Sequence, residues 1–379
     1  MGITKGGLFQ REFDAYQDMD PNPEFEACIQ FTPVGDMTIQ NWFSRGTSTD
    51  IRVGAGGLNY PPAYYNPDTD WFYTKEEAKM LPASKKGIKI SWFGQLRYLD
   101  DKGVGGWYEG PFFHGPDAIE RMNAFYAEFG APWEMEPVDM TAGAKKSIEF
   151  ALQPGFPHAV CGSAPGHFEP IYGGFGPATL SILMRKKPGR FKDVCKQFEK
   201  LAIVGEALSL EAGHQIIHTG DDLGQKDRSL VSPKNYEEFF MPSLKARCDL
   251  AHKHDTVIFM HSCGFQEELL PSYLKAGLDG LQSLEVPAGN DLARIRAVVK
   301  DKMCLVGGID TSRVLSFGTP EQCTEHVKAQ ITAATMLDGA SMDTGYIPGP
   351  SHNLMDVPLA NIQAVIKAIA DAGKCPLAG

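Results

Sequence analysis

Four residues in the second half of the chain have the side-chain types that bind zinc. In His261-Ser262-Cys263-Gly264 an imidazole and a thiol are separated by one residue, and this pair is half of a zinc site. Glu285 follows 22 positions after Cys263, and His352 lies beyond it in Gly349-Pro350-Ser351-His352-Asn353. Two imidazoles, one thiolate and one carboxylate are ligand types of a tetrahedral zinc site.

Each of these residues also has an ordinary structural interpretation. His261 with Cys263 could be a polar strand end beside a buried free thiol, Glu285 a surface acid and His352 a loop residue. However, Glu285 ends an otherwise apolar run, and a carboxylate in that position needs a counter-charge that a metal would supply. We therefore predict a zinc site formed by His261, Cys263, Glu285 and His352.

Predicted strands and helices alternate from residue 158 onward, and these elements must position the four candidate ligands. Strand, helix and strand follow one another at spacings of 20 to 40 residues, which favours a parallel sheet. So many units predict an α/β fold of the closed (β/α)8 type, a TIM barrel, with chemistry at the strand ends. The predicted strands are Ala159–Cys161, Gln215–His218, Thr256–Met260, Gly280–Val286, Met303–Val306 and Ala340–Tyr346.

Several helix starts are readable from capping residues. Ser232-Pro233 places an N-cap before a proline at the first helical position. Thr319-Pro320 repeats this pattern, and Gln322 adds the partner of a capping box. Glu267 to Leu270 is predicted to open a helix after the strand that carries His261.

Residues 1–156 are less regular and rich in glycine, proline and aromatic residues, with no linker of disordered composition after them. We expect a single domain over residues 1–379. In it, residues 1–156 form an irregular N-terminal extension that completes the barrel and covers its mouth. Residues 157–370 form the main part of the barrel, with the metal site.

Composition narrows the functional classes. The net charge is −11 without a basic run, so nucleic acid is not an expected partner. No stretch approaches 18 apolar residues, which excludes a membrane span, and the first residues lack a secretory apolar core. Eight scattered cysteines do not form a disulfide scaffold, so the expected location is the cytoplasm. The oligomeric state stays open, with a homodimer as one option.

Four further residues are candidates for the reaction itself. Asp221 and Asp222 follow a predicted strand, and one of them could act as a general acid or orient a substrate. The alternative is a helix or loop cap. Asp343 and Tyr346 lie near a strand end, where they could bind substrate, belong to the core or support the ligands.

Residues 157 to 370 resemble the uroporphyrinogen decarboxylase superfamily, and within it the zinc-dependent, corrinoid-linked methyltransferases (methyltransferase I of the O-demethylase type). Cobalamin-independent methionine synthase is similar in fold and has His-x-Cys and Glu zinc ligands at the spacing of His261, Cys263 and Glu285. The matching segments are Gly220–Gly224, Ser232-Pro233, His261–Gly264, Leu284–Val286 with Ala288-Gly289, Gly307–Asp310, Phe317–Glu321, and Pro358 with Asn361-Ile362.

The resemblance implies methyl transfer to the Co(I) corrinoid of a partner protein, because the chain has no Asp-x-His-x-x-Gly cobalamin signature of its own. One thiolate and one carboxylate would leave a zinc site formally neutral, which favours activating a substrate oxygen. The expected methyl donor is therefore a small methoxylated, aromatic compound. The alternatives are a methylcorrinoid:thiol methyltransferase and a metal-free lyase or decarboxylase.

The sequence also departs from this family. Many corrinoid-linked members carry a last cysteine ligand in a Gly-Cys-Gly turn, where this chain has Ser351 followed by His352. Cys304 is the alternative fourth ligand, although it lies early in its strand. True uroporphyrinogen decarboxylases carry an N-terminal arginine cluster, and the comparable region here has only Arg45 and Arg52. This makes porphyrinogen decarboxylation a weak interpretation.

Overall fold

The computed structural model describes residues 51–53, 56–57, 63–82, 86–99, 106–135, 138–139, 141–151, 160–342, 345–352 and 357–373. Its strands are β1 (Ile51–Val53), β2 (Gly56–Gly57), β3 (Tyr65–Asn66), β4 (Trp71–Phe72), β5 (Ile88–Ile90), β6 (Gln95–Leu99), β7 (Gly106–Pro111), β8 (Val138–Asp139), β9 (Val160–Ser163), β10 (Ile216–Gly220), β11 (Val257–Ser262), β12 (Gly280–Ser283), β13 (Cys304–Ile309), β14 (Met336–Leu337), β15 (Ala340–Ser341) and β16 (Tyr346–Pro350).

The α-helices are α1 (Lys75–Met80), α2 (Ala118–Phe129), α3 (Thr141–Ala151), α4 (Phe168–Lys186), α5 (Pro188–Ala212), α6 (Pro233–Phe239), α7 (Met241–Lys253), α8 (Leu270–Ala276), α9 (Leu292–Val299), α10 (Pro320–Thr335) and α11 (Leu359–Ala372). Short 3-10 turns cover Pro132–Glu134, Glu267–Leu269 and Val286–Ala288, and a π-helical turn covers Thr311–Leu315. Among these described helices, none combines the length and the apolar composition that crossing a membrane requires.

The chain divides into two compact units. The first contains β1, the described residues between 141 and 164, and those from 206 onward. The second contains the described residues between 56 and 140 together with residues 165–205.

A seven-stranded parallel sheet forms the centre of the first unit. Its order is β1-β9-β10-β11-β12-β13-β16, so each strand pairs with the next one of the set along the chain. The register sets Gly220 of β10 beside His261 of β11, and His261 beside Gln282 of β12. The polar ends of three neighbouring strands are thereby brought to one edge of the sheet.

The same strands also carry an apolar core. Every residue of β12 and β13 is buried, as expected for strands that helices cover on the outer face. One buried cluster draws on β9, β10, β11, β13 and β16, and it consists of Cys161, Ile216, Phe259, Cys304, Val306 and Ile347.

The α/β fold with a parallel sheet is confirmed. The strand order is that of a (β/α)8 barrel, but a pairing that closes β1 onto β16 is not among those of the described strands, so closure stays a prediction. Nothing in the division into two units tests the single-domain expectation.

The predicted helix starts at Ser232 and Thr319 are also confirmed, and Glu267–Leu269 forms a 3-10 turn that leads into α8. Ser232 caps α6 through a bond from the Asn235 N–H, and Thr319 with Gln322 forms a complete capping box on α10. The prediction of a strand over Ala340–Tyr346 is wrong. Residues Met336–Leu337 and Ala340–Ser341 pair as an antiparallel hairpin, and the parallel strand begins only at Tyr346.

The second unit is built on aromatic packing. It contains an antiparallel sheet of β5, β6 and β7 and the short antiparallel pairs β3–β4 and β2–β8. The ring of Phe113, which follows β7, lies 5.8 Å from that of Phe125 in α2 and 5.3 Å from that of Phe175 in α4. Large rings thus supply the apolar area that these short strands cannot provide.

Candidate metal centre

His261 and Cys263 meet at the end of β11. The Nε2 atom of His261 lies 3.2 Å from the Sγ atom of Cys263. Zinc bonds of about 2.0 Å to nitrogen and about 2.3 Å to sulfur place two tetrahedral ligands roughly 3.5 Å apart. The other ring nitrogen, Nδ1, lies 2.8 Å from Oε1 of Gln282 on the next strand.

Two glycines let the loops after β10 and β11 touch. Gly264 has a φ of +78°, and a Cβ there would come within 2.4 Å of the Gly224 backbone. The Gly224 N–H donates to the Cys263 carbonyl at 3.1 Å, and the Leu223 N–H donates to Ser262 Oγ at 3.1 Å. This backbone approach brings the Asp221-Asp222 loop against His261 and Cys263.

Of the two aspartates, Asp222 faces the cluster. Its Oδ1 atom accepts a bond from the Cys263 N–H at 2.9 Å and lies 3.5 Å from Nε2 of His261. Asp221 is buried and lies near a different group: burial raises the pKa of Tyr273, and the Asp221 carboxylate raises it further. The geometry therefore favours Asp222 for a role in the reaction.

Glu285 leaves β12 through an unusual backbone. Ser283 and Leu284 have φ values of 100° and 52°, a region that side chains rarely adopt. Gly307 of β13 makes room for this turn, because a Cβ there would lie 2.4 Å from the Ser283 carbonyl oxygen. Asn290 then holds the Glu285 carbonyl through its Nδ2 group at 2.9 Å.

His352 is placed two residues beyond β16. Ser283 Oγ donates to the Ser351 carbonyl at 2.9 Å, and the His352 N–H donates to Thr311 Oγ1 at 3.3 Å. The His352 ring comes to Glu285, with Nε2 2.6 Å from Oε1. The Oε1 atom itself is buried, whereas the His352 side chain is about half exposed.

The ligand atoms gather in two overlapping groups, each within 4.8 Å. Asp222, His261 and Cys263 form one group, and Cys263, Glu285 and His352 form the other. All four predicted ligands therefore belong to the cluster, joined by Cys263, although His261 does not reach the second group at this spacing. Cys263 is the residue that belongs to both groups.

The electrostatics of this cluster fit a cation. Burial raises the pKa of the Cys263 thiol, and the carboxylates of Asp222 and Glu285 raise it further. Burial also raises the pKa of Glu285, but its interactions with His352, the Gly264 backbone and Cys263 outweigh burial, and the net pKa is lowered. One thiol, two carboxylates and two imidazoles form a set of donors that a zinc ion would stabilise.

Cys304, the alternative fourth ligand, lies elsewhere. It is the first residue of β13 and is buried in the apolar cluster, where burial raises its pKa to about 12. The geometry thus favours His352.

The structure describes one of the two substrate-binding candidates, Tyr346. Tyr346 is fully buried, and its hydroxyl donates to the Gly307 carbonyl at 2.8 Å, which favours the core role that the sequence left open. Asp343 lies outside the described residues.

Sequence reasoning missed three buried amides around the cluster. Gln282 touches His261, as described above. Gln266 donates to the Cys263 carbonyl at 2.6 Å, and Asn290 donates to the Gly264 carbonyl at 2.9 Å. The amide of Gln282 within the predicted strand Gly280–Val286 was the available signal.

Comparison with known proteins agrees with this fold. A methylated-thiol–coenzyme M methyltransferase of Methanosarcina mazei is 27% identical over 140 residues, which are 37% of this chain and only 34% of that protein. A solved methyltransferase structure from Methanosarcina mazei is 18% identical with a TM-score of 0.53, and the match covers 74% of this chain and 76% of that one. At this identity the second match shows a shared fold.

The remaining comparison concerns the family itself. The family model described as uroporphyrinogen decarboxylase (URO-D) matches residues 171–372. This range is more than half of the chain and contains every member of the cluster. The chain therefore belongs to the uroporphyrinogen decarboxylase (URO-D) family.

Proposed function

We propose that the protein is a zinc-dependent methyltransferase. Its substrates are a small methylated compound and the Co(I) corrinoid of a partner protein. The observation that carries the proposal is the convergence of His261, Cys263, Glu285 and His352 at strand ends of one sheet, with ligand atoms in groups of 4.8 Å or less. The match to a methyltransferase of Methanosarcina mazei over 140 residues supports the same reaction class.

These four residues would hold the zinc, with Asp222 beside them. When bound there, zinc supplies Lewis-acid stabilisation to the substrate atom that loses its methyl group. The charges of the Cys263 thiolate and the Glu285 carboxylate balance the two charges of zinc. This neutral balance favours an oxygen, and so a methoxylated aromatic compound, as the methyl donor.

Methyl transfer from an oxygen also requires a proton, and a residue of the protein can supply it. The methyl group passes from the substrate oxygen to the Co(I) centre, and the C–O electron pair stays on the oxygen, which must gain a proton. Asp222 is suited to deliver this proton. Its carboxyl is 44% exposed and so can exchange protons with solvent, while the Cys263 N–H fixes its Oδ1 atom.

A methylated thiol is the second candidate for the substrate. The name of the Methanosarcina mazei relative favours it, because that protein acts on methylated thiols and coenzyme M. In this case zinc would be held by the same residues, and the atom that exchanges its methyl group would be sulfur.

A panel assay with visible spectroscopy tests the proposal. Purified protein with one equivalent of zinc is mixed with reduced free cobalamin and either an aryl methyl ether or a methylated thiol, and methylcobalamin is followed by its absorbance. Formation from the ether supports the first candidate, and formation only from the thiol supports the second. Absence of methylcobalamin with every donor, or full activity after chelation, would refute zinc-dependent methyl transfer.

A further inference from the structure

Gln282 links two imidazoles inside the sheet. Its Oε1 atom lies 2.8 Å from Nδ1 of His261 and 3.1 Å from Nε2 of His218. Gln282 is 3% exposed and His218 is 5% exposed. The three side chains come from the adjacent strands β10, β11 and β12, and the chain of contacts leads on to Cys263 through Nε2 of His261.

The chemistry of the amide fixes where the protons lie. An amide oxygen only accepts hydrogen bonds, so each ring must carry its proton on the nitrogen that faces Gln282. For a neutral His261 this proton is on Nδ1. The lone pair is then on Nε2, the nitrogen that lies 3.2 Å from the Cys263 sulfur.

A Gln282 amide with its oxygen and NH2 group exchanged would place the His261 proton on the other ring nitrogen. Its NH2 group would donate to both rings, so Nδ1 of His261 would have to accept and the ring proton would move to Nε2. A ring protonated on Nε2 has no lone pair there for a metal. The orientation of one buried amide thus decides whether His261 can act as a ligand.

We propose that Gln282 is a positioning residue that holds His261 in the Nδ1–H tautomer and so presents the Nε2 lone pair to the metal. His218 holds the amide oxygen in this orientation by donating the second bond. This inference rests on the proposed zinc site, and it adds two residues that do not touch the metal to the determinants of metal binding.

Zinc affinity measured against a competing chelator tests the role of Gln282. Gln282→Glu keeps an acceptor for both rings and should retain the affinity of the unmodified protein. Gln282→Leu removes the acceptor and should weaken zinc binding about 10- to 100-fold. Equal zinc affinities of the folded Gln282→Glu and Gln282→Leu variants would overturn the proposal.

A matched control separates positioning from the general cost of losing a buried amide. Asn361 is also buried, and its Nδ2 group bridges the carbonyls of Leu315 and Gly318 at 2.8 Å each. Asn361→Leu should lower the unfolding temperature and leave zinc affinity unchanged. A loss of affinity as large as that of Gln282→Leu would contradict a specific role of Gln282.

Nitrogen-15 NMR of the zinc-free full-length protein tests the tautomer directly and needs no variant beyond the one used for assignment. The imidazole signals of His261, assigned with His261→Gln, should show the proton on Nδ1. A proton on Nε2 would overturn the proposal even if the protein binds zinc. Conversely, a protein that binds no zinc but shows the Nδ1–H tautomer would refute the proposed function and the presentation of a lone pair to zinc, while the control of the His261 tautomer by Gln282 would stand.

Discussion

Cys263 is the residue on which both groups of the cluster depend. Its thiol contacts His261 on one side and interacts with Glu285 on the other. Because burial and two nearby carboxylates raise its pKa, the sulfur would stay protonated without a compensating positive charge. Zinc binding would displace that proton, so the metal and the thiolate are expected to appear together.

Replacing this sulfur should release the metal without unfolding the protein. We expect Cys263→Ser to lower zinc content from about one ion per chain, because a serine hydroxyl is a much poorer zinc ligand than a thiolate. The strand end is partly exposed, so thermal unfolding of the zinc-free protein should change little. Metal analysis of the purified variant measures this, with Cys323→Ser as the control. Full zinc retention in Cys263→Ser would remove Cys263 from the ligand set.

The fourth ligand can be decided by a pair of variants. His352→Ala should weaken zinc binding and methyl transfer together, since its ring lies 2.6 Å from the Glu285 carboxylate. Cys304→Ser should retain zinc, because Cys304 lies in the apolar core. If His352→Ala kept its zinc and lost only rate, His352 would bind substrate. If Cys304→Ser lost zinc instead, the neutral-site argument would fail, because a second thiolate makes the site anionic.

At the scale of helices and strands, the sequence predicts those features that depend only on residues close together in the chain. The caps at Ser232 and Thr319 were readable because each needs only a hydroxyl and a backbone N–H three residues later. The strand at Ala340–Tyr346 was misplaced although a local signal was present. Asp338-Gly339, with φ values of 51° and 82°, is the two-residue turn that joins Leu337 to Ala340 in the hairpin. The partnership of Gln282 with His218 spans 64 residues, so no local pattern could reveal it.

The contact between the loops after β10 and β11 predicts a specific glycine requirement. Gly264→Ala would adopt a disfavoured positive φ, at a cost of about 1–2 kcal/mol, and would force its Cβ against Gly224, at a further cost of about 1–3 kcal/mol. Gly213→Ala is the matched control, because Gly213 has a φ of +90° with no atom near the added Cβ. Denaturant unfolding should therefore show the larger loss for Gly264→Ala, and that variant should also bind zinc more weakly. Equal losses of unfolding free energy in the two variants would mean that the loops after β10 and β11 can move apart at little cost.

At the scale of the whole molecule, the periodicity predicted the parallel sheet, whereas the grouping of residues in the second unit depends on contacts between distant positions. Repeated strand and helix patterns favour a parallel arrangement, and the described strands pair in their order along the chain, as successive strands usually do. Residues 165–205 group with residues 56–140 in the second unit. The large aromatic residues that form that unit, such as Phe113 and Phe175, are far apart in sequence, and composition alone does not show that they meet.

This division predicts where zinc should stabilise the molecule. Every residue of the cluster lies in the first unit, at or just after the ends of β10, β11, β12 and β16. Zinc at about 100 times its dissociation constant stabilises the folded protein by about 2.7 kcal/mol. Hydrogen exchange followed by mass spectrometry should show slower exchange in peptides around Asp222, Cys263 and Glu285 when zinc is added, and no change in peptides from residues 63–99. Cys263→Ser should abolish the difference, and zinc-dependent protection confined to the second unit would place the metal elsewhere.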